Sequence, residues 1–488
     1  MWKRRQNTDA RHQIPHSLIL HPQSCHPERG LPSRRAQPQL YHPEQGLPSR
    51  RAQSYPQAPY LRSVQFGLRQ FIPEEQRASL REKVLSYGAR FSHVVMLENR
   101  GEEYAPSWLA KGWIAGIGCH QEVLDQGRFF DQLKEVRFEL PLLGYLGYDL
   151  KNQVEDLHSN NADAIGAPDA SFFEPVHYLH FDGAYLSIAS HEDPVAVGKA
   201  IEEIEFKPHP IPTCKLIPSI SKSDYLEKVE QVIEQIRNGE VYEMNLCVEH
   251  LAKDVQLDPI SCYLALMEKS EVPFAAFLKR ENIYAMCASP ERFLRKQGEQ
   301  LLTQPIKGTR RRGKDAFEDE QLRKDLLHSE KDRAENVMIV DLVRNDLTRS
   351  CRYGSIEVEE LFGIYSFKNV HQMISTVSGQ LRPEVHWADA IRMAFPMGSM
   401  TGAPKIRAMQ LIEEMEESKR GIYSGSIGVI FPNQDFELNV VIRTVLYNEK
   451  DSVLSVHAGG AITYDSKAEE EYDEIQTKLS LIYNLFAC

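Results

Sequence analysis

The sequence predicts an α+β fold built on antiparallel sheets. Strand-like runs cluster in groups instead of alternating singly with helices, and several amphipathic runs of helical period sit among those groups. The chain of 488 residues is long enough to bury a sizeable core, with 42% hydrophobic and 26% charged residues, as in soluble globular proteins.

The first 62 residues are a different material. "HPERGLPSRRAQ" begins at His26 and "HPEQGLPSRRAQ" at His42, a direct repeat rich in Pro, Arg, Gln and His. Such a segment buries too little surface to offset its ordering entropy, so residues 1–62 are expected to be a disordered basic extension. Its proline density and its repeat fit a transit peptide poorly, and it has no apolar signal core. From residue 63 to 215 the pattern becomes globular. "FSHVVMLEN" and "WIAGIGC" read as strands, followed by "PLLGYLGYDL" and "HYLHFDGAYLSIAS". A Pro-rich joint, residues 207–225, ends in an N-cap signal at Ser221 or Ser223 before "YLEKVEQVIEQIRNGE". Residues 220–488 mix the strands "PFAAFLKR", "IYAMCAS", "SGSIGVIF", "FELNVVIRTVLY" and "VLSVHAGGAI" with four clear helices. Those helices are "SEKDRAENVMIVDLVRNDL", "WADAIRMAF", "PKIRAMQLIEEMEE" and "KAEEEYDEIQTKLSLIYNLF".

A net charge of -12 argues against nucleic acid as the main partner. No apolar run reaches the ~20 residues that span a bilayer. The eight cysteines are scattered, which reads as free thiols in a reducing, cytoplasmic setting.

Two helices carry acids at i, i+3, on one face each: Asp332 with Glu335, and Glu471 with Glu474, followed by Lys478. Facing helices that each offer a carboxylate suit a hard divalent cation, although such pairs are more often solvated faces. "GSMTGAPK" fails as a phosphate loop, because Ala-Pro-Lys stands where Gly-Lys-Ser/Thr is needed. It reads as a turn entering a helix, a place that suits anions. "HAGGAI" reads as a strand followed by paired glycines that allow close backbone approach. "SPERF" places Glu291 just after a strand, an ordinary surface position. "PIKGTRRRG" reads as a strand end turning into a basic loop around Lys307.

The joint order is more specific than any member. SPERF, PIKGT, DRAEN-x-MIVDL-x-RNDL, GS-x-TGAPK, YSGSIG, IRT, AGG and E-EY-x-E together resemble the chorismate-utilising enzymes, densely from Tyr225 to Leu485 and loosely before it. The resemblance implies a large α/β sandwich of two facing antiparallel sheets flanked by helices, with the site between them. It implies Mg²⁺ held by Glu335 and Glu474, with Glu471 and Asp332 close by, and Lys478 beside the ring carboxylate of chorismate. Arg443, Tyr423 and the Gly459–Gly460 backbone would take the enolpyruvyl carboxylate, and Thr401 and Gly402 would line the ring. Glu291 would be the general acid/base, a role that needs burial to raise its pKa.

P-I-K-G-T resembles the aminodeoxychorismate synthase component I branch, where anthranilate synthases typically have P-I-A-G-T. Lys307 is then the expected nucleophile, its pKa lowered by desolvation and by the Mg²⁺ and Arg443 charges. Glu243 stands where water-using relatives have a lysine. The branch implies 4-amino-4-deoxychorismate, on the way to p-aminobenzoate and folate, as product. The ammonia would come from glutamine through a separate glutamine amidotransferase subunit, component II, with no nucleic acid or membrane partner. The rival readings are an anthranilate synthase component I and a non-catalytic regulatory paralogue. Gln372, where many relatives have His, and "LENRG", without the serine that helps bind tryptophan in feedback-inhibited relatives, depart from the pattern.

Overall fold

The structure, a computed structural model, describes residues 66–101, 112–368 and 370–486. The direct repeat lies outside the described residues. Among them, two antiparallel sheets face each other, one of twelve strands and one of ten. The larger sheet runs from Gly402–Ala403 through Glu243–Ala252, Val453–Ile462, Thr444–Asn448, Ile283–Ser289 and Phe274–Arg280 to His93–Asn99. It continues through Gly112–Ile117, His177–Phe181 and Tyr185–Ser190 to Leu68–Phe71. The smaller sheet runs from Ile306–Arg311 through Val370–Gln380, Gln300–Gln304, Arg292–Gln297, Phe436–Asn439 and Ser426–Ile430. It ends with Leu142–Leu146, Ala170–Glu174 and Gln121–Leu124.

His93–Asn99 shows why its run is almost unbroken in apolar residues: it is covered on both faces. Val95 and Leu97 pack between the sheets with Leu143 and Phe172 of the facing one. Val94 and Met96, pointing the other way, pack with Leu80, Val229, Tyr263 and Ile475 from four outer helices. The helix Lys222–Arg237 starts at Ser221, whose hydroxyl accepts from the Asp224 amide while Asp224 accepts from the Ser221 amide, a complete capping box.

Three sequence expectations need correction. "FELNVVIRTVLY" is two strands: Phe436–Asn439 lies in the smaller sheet and Thr444–Asn448 in the larger, so Val440–Arg443 crosses between them. Both halves are buried, so the apolar run gives no sign of the break. "PIKGT" is no strand end, because Ile306–Arg311 pairs with Val370–Gln380. The register slips between Ile306 and Thr309, and Gly308 has φ +87°, which a bulge with glycine accommodates. The paired glycines lie within the strand Val453–Ile462. A β-carbon on Gly459 would stand 2.4 Å from the Leu246 carbonyl oxygen, so the two backbones meet closely there.

A second crossing joins Ile283–Ser289 of the larger sheet to Arg292–Gln297 of the smaller. The two crossings are bonded to each other: the Val440 amide donates to the Glu291 carbonyl at 3.0 Å, and the Ala288 amide to the Arg443 carbonyl at 3.2 Å. Glu291 and Arg443 are therefore fixed as neighbours by backbone alone. No helix among the described residues is long and apolar enough to cross a membrane.

Candidate active site

A cavity of about 790 Å³ opens between the sheets. Asn245, His457 and Gly459 reach it from the larger sheet, Lys307 and Gln372 from the smaller, and Glu291 and Arg443 from the crossings. The helices Glu330–Thr348 and Ala468–Phe486 close it with Asp332, Glu335, Glu471, Glu474 and Lys478. Tyr423 completes the wall.

Lys307 is 9% exposed and donates to Glu243 at 2.5 Å. Burial works to lower its pKa, but Glu243, Glu335 and Glu291 outweigh burial and hold it above the ordinary lysine value. The lowered pKa expected from the sequence is thus not what the protein's own charges produce. Glu291 is 4% exposed, and burial pushes its carboxyl up to about 7 against the opposing pull of Ser399, Lys307 and Arg443. That is the environment a carboxylic acid needs to hold a proton near neutrality.

Arg443 adopts φ +52°, a strained value for a side chain of its size, as the chain turns between sheets. Its guanidinium has no hydrogen-bond or ion-pair partner among the described residues; burial lowers its pKa, and Glu291 works against that. A cation without a partner in a cavity wall is suited to a carboxylate. Tyr423 stacks on His457, with ring centroids 4.9 Å apart, and its hydroxyl lies 3.8 Å from the Cys247 sulfur.

On the other side of the cavity the acids gather around ammonium groups. Lys331 Nζ lies 3.9 Å from Glu335 and 4.0 Å from Glu471, bridging the two helices. The sequence reading did not single out Lys331. Lys478 Nζ pairs with Glu474 at 2.7 Å and donates to the Gly459 carbonyl at 2.8 Å. A β-carbon on Gly460 would stand 3.2 Å from Glu471, 3.7 Å from Glu474 and 4.0 Å from Lys478, so glycine leaves room for these groups. Burial raises the Glu335 carboxyl to about 7 and raises Glu471 as well. Burial also opposes ionisation of Glu474, but Lys478, Lys331 and Lys307 keep its pKa below the usual value. Asp332 is engaged elsewhere, by Arg310 at 2.6 Å.

Lys307, Glu291, Arg443, Tyr423, Gly459, Lys478, Glu335, Glu471 and Glu474 therefore share one cavity. Thr401, Gly402 and Gly460 are not part of its lining. Thr401 is fully buried, with its hydroxyl toward the carbonyls of Met397 and Gly398, and Gly402 pairs with Met244. Sequence reasoning left the roles of Glu243 and Gln372 open. Glu243 contacts Lys307, and Gln372, 2% exposed, has an Oε1 without a partner at the cavity wall.

Residues 96–484 match the family model of chorismate binding enzymes. A probable chloroplastic aminodeoxychorismate synthase of Oryza sativa subsp. japonica is 45% identical over 261 residues, 53% of this chain and 29% of the rice protein. The chain thus spans less than a third of that relative's length. Aminodeoxychorismate synthase component 1 of Bacillus subtilis is 33% identical, over 69% of this chain and 75% of its own. The crystal structure of anthranilate synthase component I from Streptococcus pneumoniae superposes with a TM-score of 0.68 at 28% identity, covering 78% of this chain and 93% of that one. With a match that takes in the smaller sheet, most of the larger one and the whole cavity, the chain belongs to the family of chorismate binding enzymes.

Proposed function

We propose that the protein is an aminodeoxychorismate synthase component I, which converts chorismate and ammonia to 4-amino-4-deoxychorismate. The observation that carries this reading is Lys307, enclosed in the cavity that also holds the buried acid Glu291 and the unpartnered Arg443. Lys307 Nζ attacks ring carbon C2 as both ring double bonds shift, C1=C2 to C1=C6 and C5=C6 to C4=C5, and the C4–O bond breaks. Glu291 gives its proton to the departing hydroxyl, which leaves as water. Ammonia then bonds to C4, both double bonds shift back and the bond from Nζ to C2 breaks. Arg443 holds the enolpyruvyl carboxylate through both steps.

Lys307 reacts only as the neutral amine. Glu243, 2.5 Å away, is placed to take its proton. The residues fit Mg²⁺: an ammonium already lies within 4.0 Å of both Glu335 and Glu471, and Glu474 stands beside Glu471 across Gly460. Bound there, Mg²⁺ would hold the ring carboxylate and neutralise the acids around it. With Glu335 neutralised, Lys307 loses one of the carboxylates that keep it charged. The ammonia comes from a separate glutamine amidotransferase subunit, as the component name of the Bacillus relative suggests. Product analysis with chorismate, Mg²⁺ and an ammonium salt tests the reading. Wild type should yield aminodeoxychorismate, convertible to p-aminobenzoate by an added lyase, and Lys307→Ala should lose it. Anthranilate and pyruvate from wild type would assign the chain to the tryptophan branch instead.

A further inference from the structure

Outside the cavity, one cluster has the chemistry of a different metal. His120, Glu174 and His191 bring a ring nitrogen, a carboxylate oxygen and a second ring nitrogen within 4.8 Å of one another. No other set of three or more His, Cys, Asp or Glu ligands among the described residues does so, the acids of the cavity included. We propose that these three residues bind a borderline transition-metal dication of the zinc class, in a site separate from the chorismate cavity.

The three come from three segments. His120 immediately precedes the strand Gln121–Leu124, Glu174 ends Ala170–Glu174, and His191 follows Tyr185–Ser190. The first two strands belong to the smaller sheet and the third to the larger, so an ion here would tie the sheets together at their margin. Backbone bonds fix the segments: the His120 amide donates to the Glu174 carbonyl at 2.8 Å, and the His191 amide to Val176 at 3.0 Å.

Glu174 is the anchored member. It is 1% exposed, and its Oε1 accepts from the amides of Glu139 and Leu140, both at 2.8 Å. Gln121 donates to Oε2 at 2.5 Å, and His191 Nε2 lies 3.3 Å from Oε1. Bonds of this kind orient a ligating carboxylate before the ion arrives. His120 is exposed and the His191 side chain is 23% exposed, so an ion can enter from solvent. Their rings stack 3.9 Å apart at 14°. A hydrogen bond to Glu174 accounts for the His191 imidazole, and the His120 ring lies on top of it with no carboxylate bond of its own among the described residues. Ligands at ~2.0–2.1 Å in tetrahedral array stand about 3.3 Å apart, and one imidazole has to swing out of the stack for both ring planes to meet at one ion. Two imidazoles and one carboxylate favour zinc-class ions over Mg²⁺ and leave a fourth position for water.

The test is calorimetric titration of the full chain with Zn²⁺ in a Glu335→Gln/Glu474→Gln background, which removes two of the competing acids of the cavity. His120→Ala and His191→Ala should each cost one equivalent of bound zinc or weaken it by about tenfold or more. His120→Ala removes an exposed side chain and His191→Ala a partly buried one, and circular dichroism checks that both variants keep the fold. Co²⁺ should give d–d absorption bands that both variants lose. Zinc binding of unchanged stoichiometry and affinity in the two variants, or no saturable binding at all, overturns the site. Neither result bears on chorismate chemistry, which Lys307→Ala tests separately.

Discussion

The carboxyl group of Glu291 titrates at about 7 because it is enclosed, and this has a direct kinetic consequence. As donor to the departing hydroxyl it works only while protonated, so kcat should fall as pH rises through about 7. Glu291→Gln should lower the rate by roughly 10²–10⁴ and remove that falling limb, as a pH–rate profile would reveal. Glu335 offers a thermodynamic counterpart. Its folded pKa of about 7 lies above the unfolded value, so between roughly pH 4.3 and 7 the folded state binds more protons. Stability of the metal-free protein falls across that window and stays low above it. Glu335→Gln should therefore stabilise metal-free protein by about 1–3 kcal/mol at pH 8, and by little at pH 4, in urea unfolding. The same substitution should abolish Mg²⁺-dependent activity. At this scale the sequence was a partial guide. SPERF alone describes a surface glutamate, and only its order among other motifs makes Glu291 a candidate. The contact between Glu243 and Lys307 spans 64 positions, so nothing local announces it.

Among the elements, the strands that touch the cavity were the hardest to read. Glu243–Ala252 carries Glu243, Asn245, Glu249 and His250, all buried. Polar residues facing a cavity or an interior network erase the alternation by which a strand is recognised. Strands with apolar inner and outer faces, such as His93–Asn99, and helices with clear caps, such as the one starting at Ser221, were plain. Ser221→Ala should cost about 1 kcal/mol in urea unfolding with activity retained, because Ser221 is not among the residues that line the cavity. Gly459→Ala should be worse on both counts. Its β-carbon would press on the Leu246 carbonyl, a backbone atom that cannot swing aside, in the strand that also carries His457. A loss of about 1–3 kcal/mol and a fall in activity are expected, read by urea midpoint and by steady-state kinetics.

At the largest scale the described residues form two sheets with a cavity between them. The α+β class was readable in the grouping of strands, but the facing of the sheets came only through resemblance, because which strand joins which sheet depends on pairings far apart in the chain. A ligand that bridges the sheets should stabilise the fold: chorismate with Mg²⁺ at 100 times its Kd should add about 2.7 kcal/mol in thermal unfolding. Arg443→Ala should lose most of that shift while leaving the ligand-free midpoint nearly unchanged, since its guanidinium has no partner to forfeit among the described residues.

The helix Ala468–Phe486 gives this design a timetable. Glu471, Glu474 and Lys478 reach the cavity from the last described helix, whereas Glu291 and Lys307 are made more than 150 residues earlier. During synthesis the two sheets can be nearly complete while the cavity still lacks one wall. A chain made only as far as residue 467 would therefore hold Glu291 and Lys307 without the carboxylates and ammonium of this helix, and would leave Val94 and Met96 without the cover of Ile475.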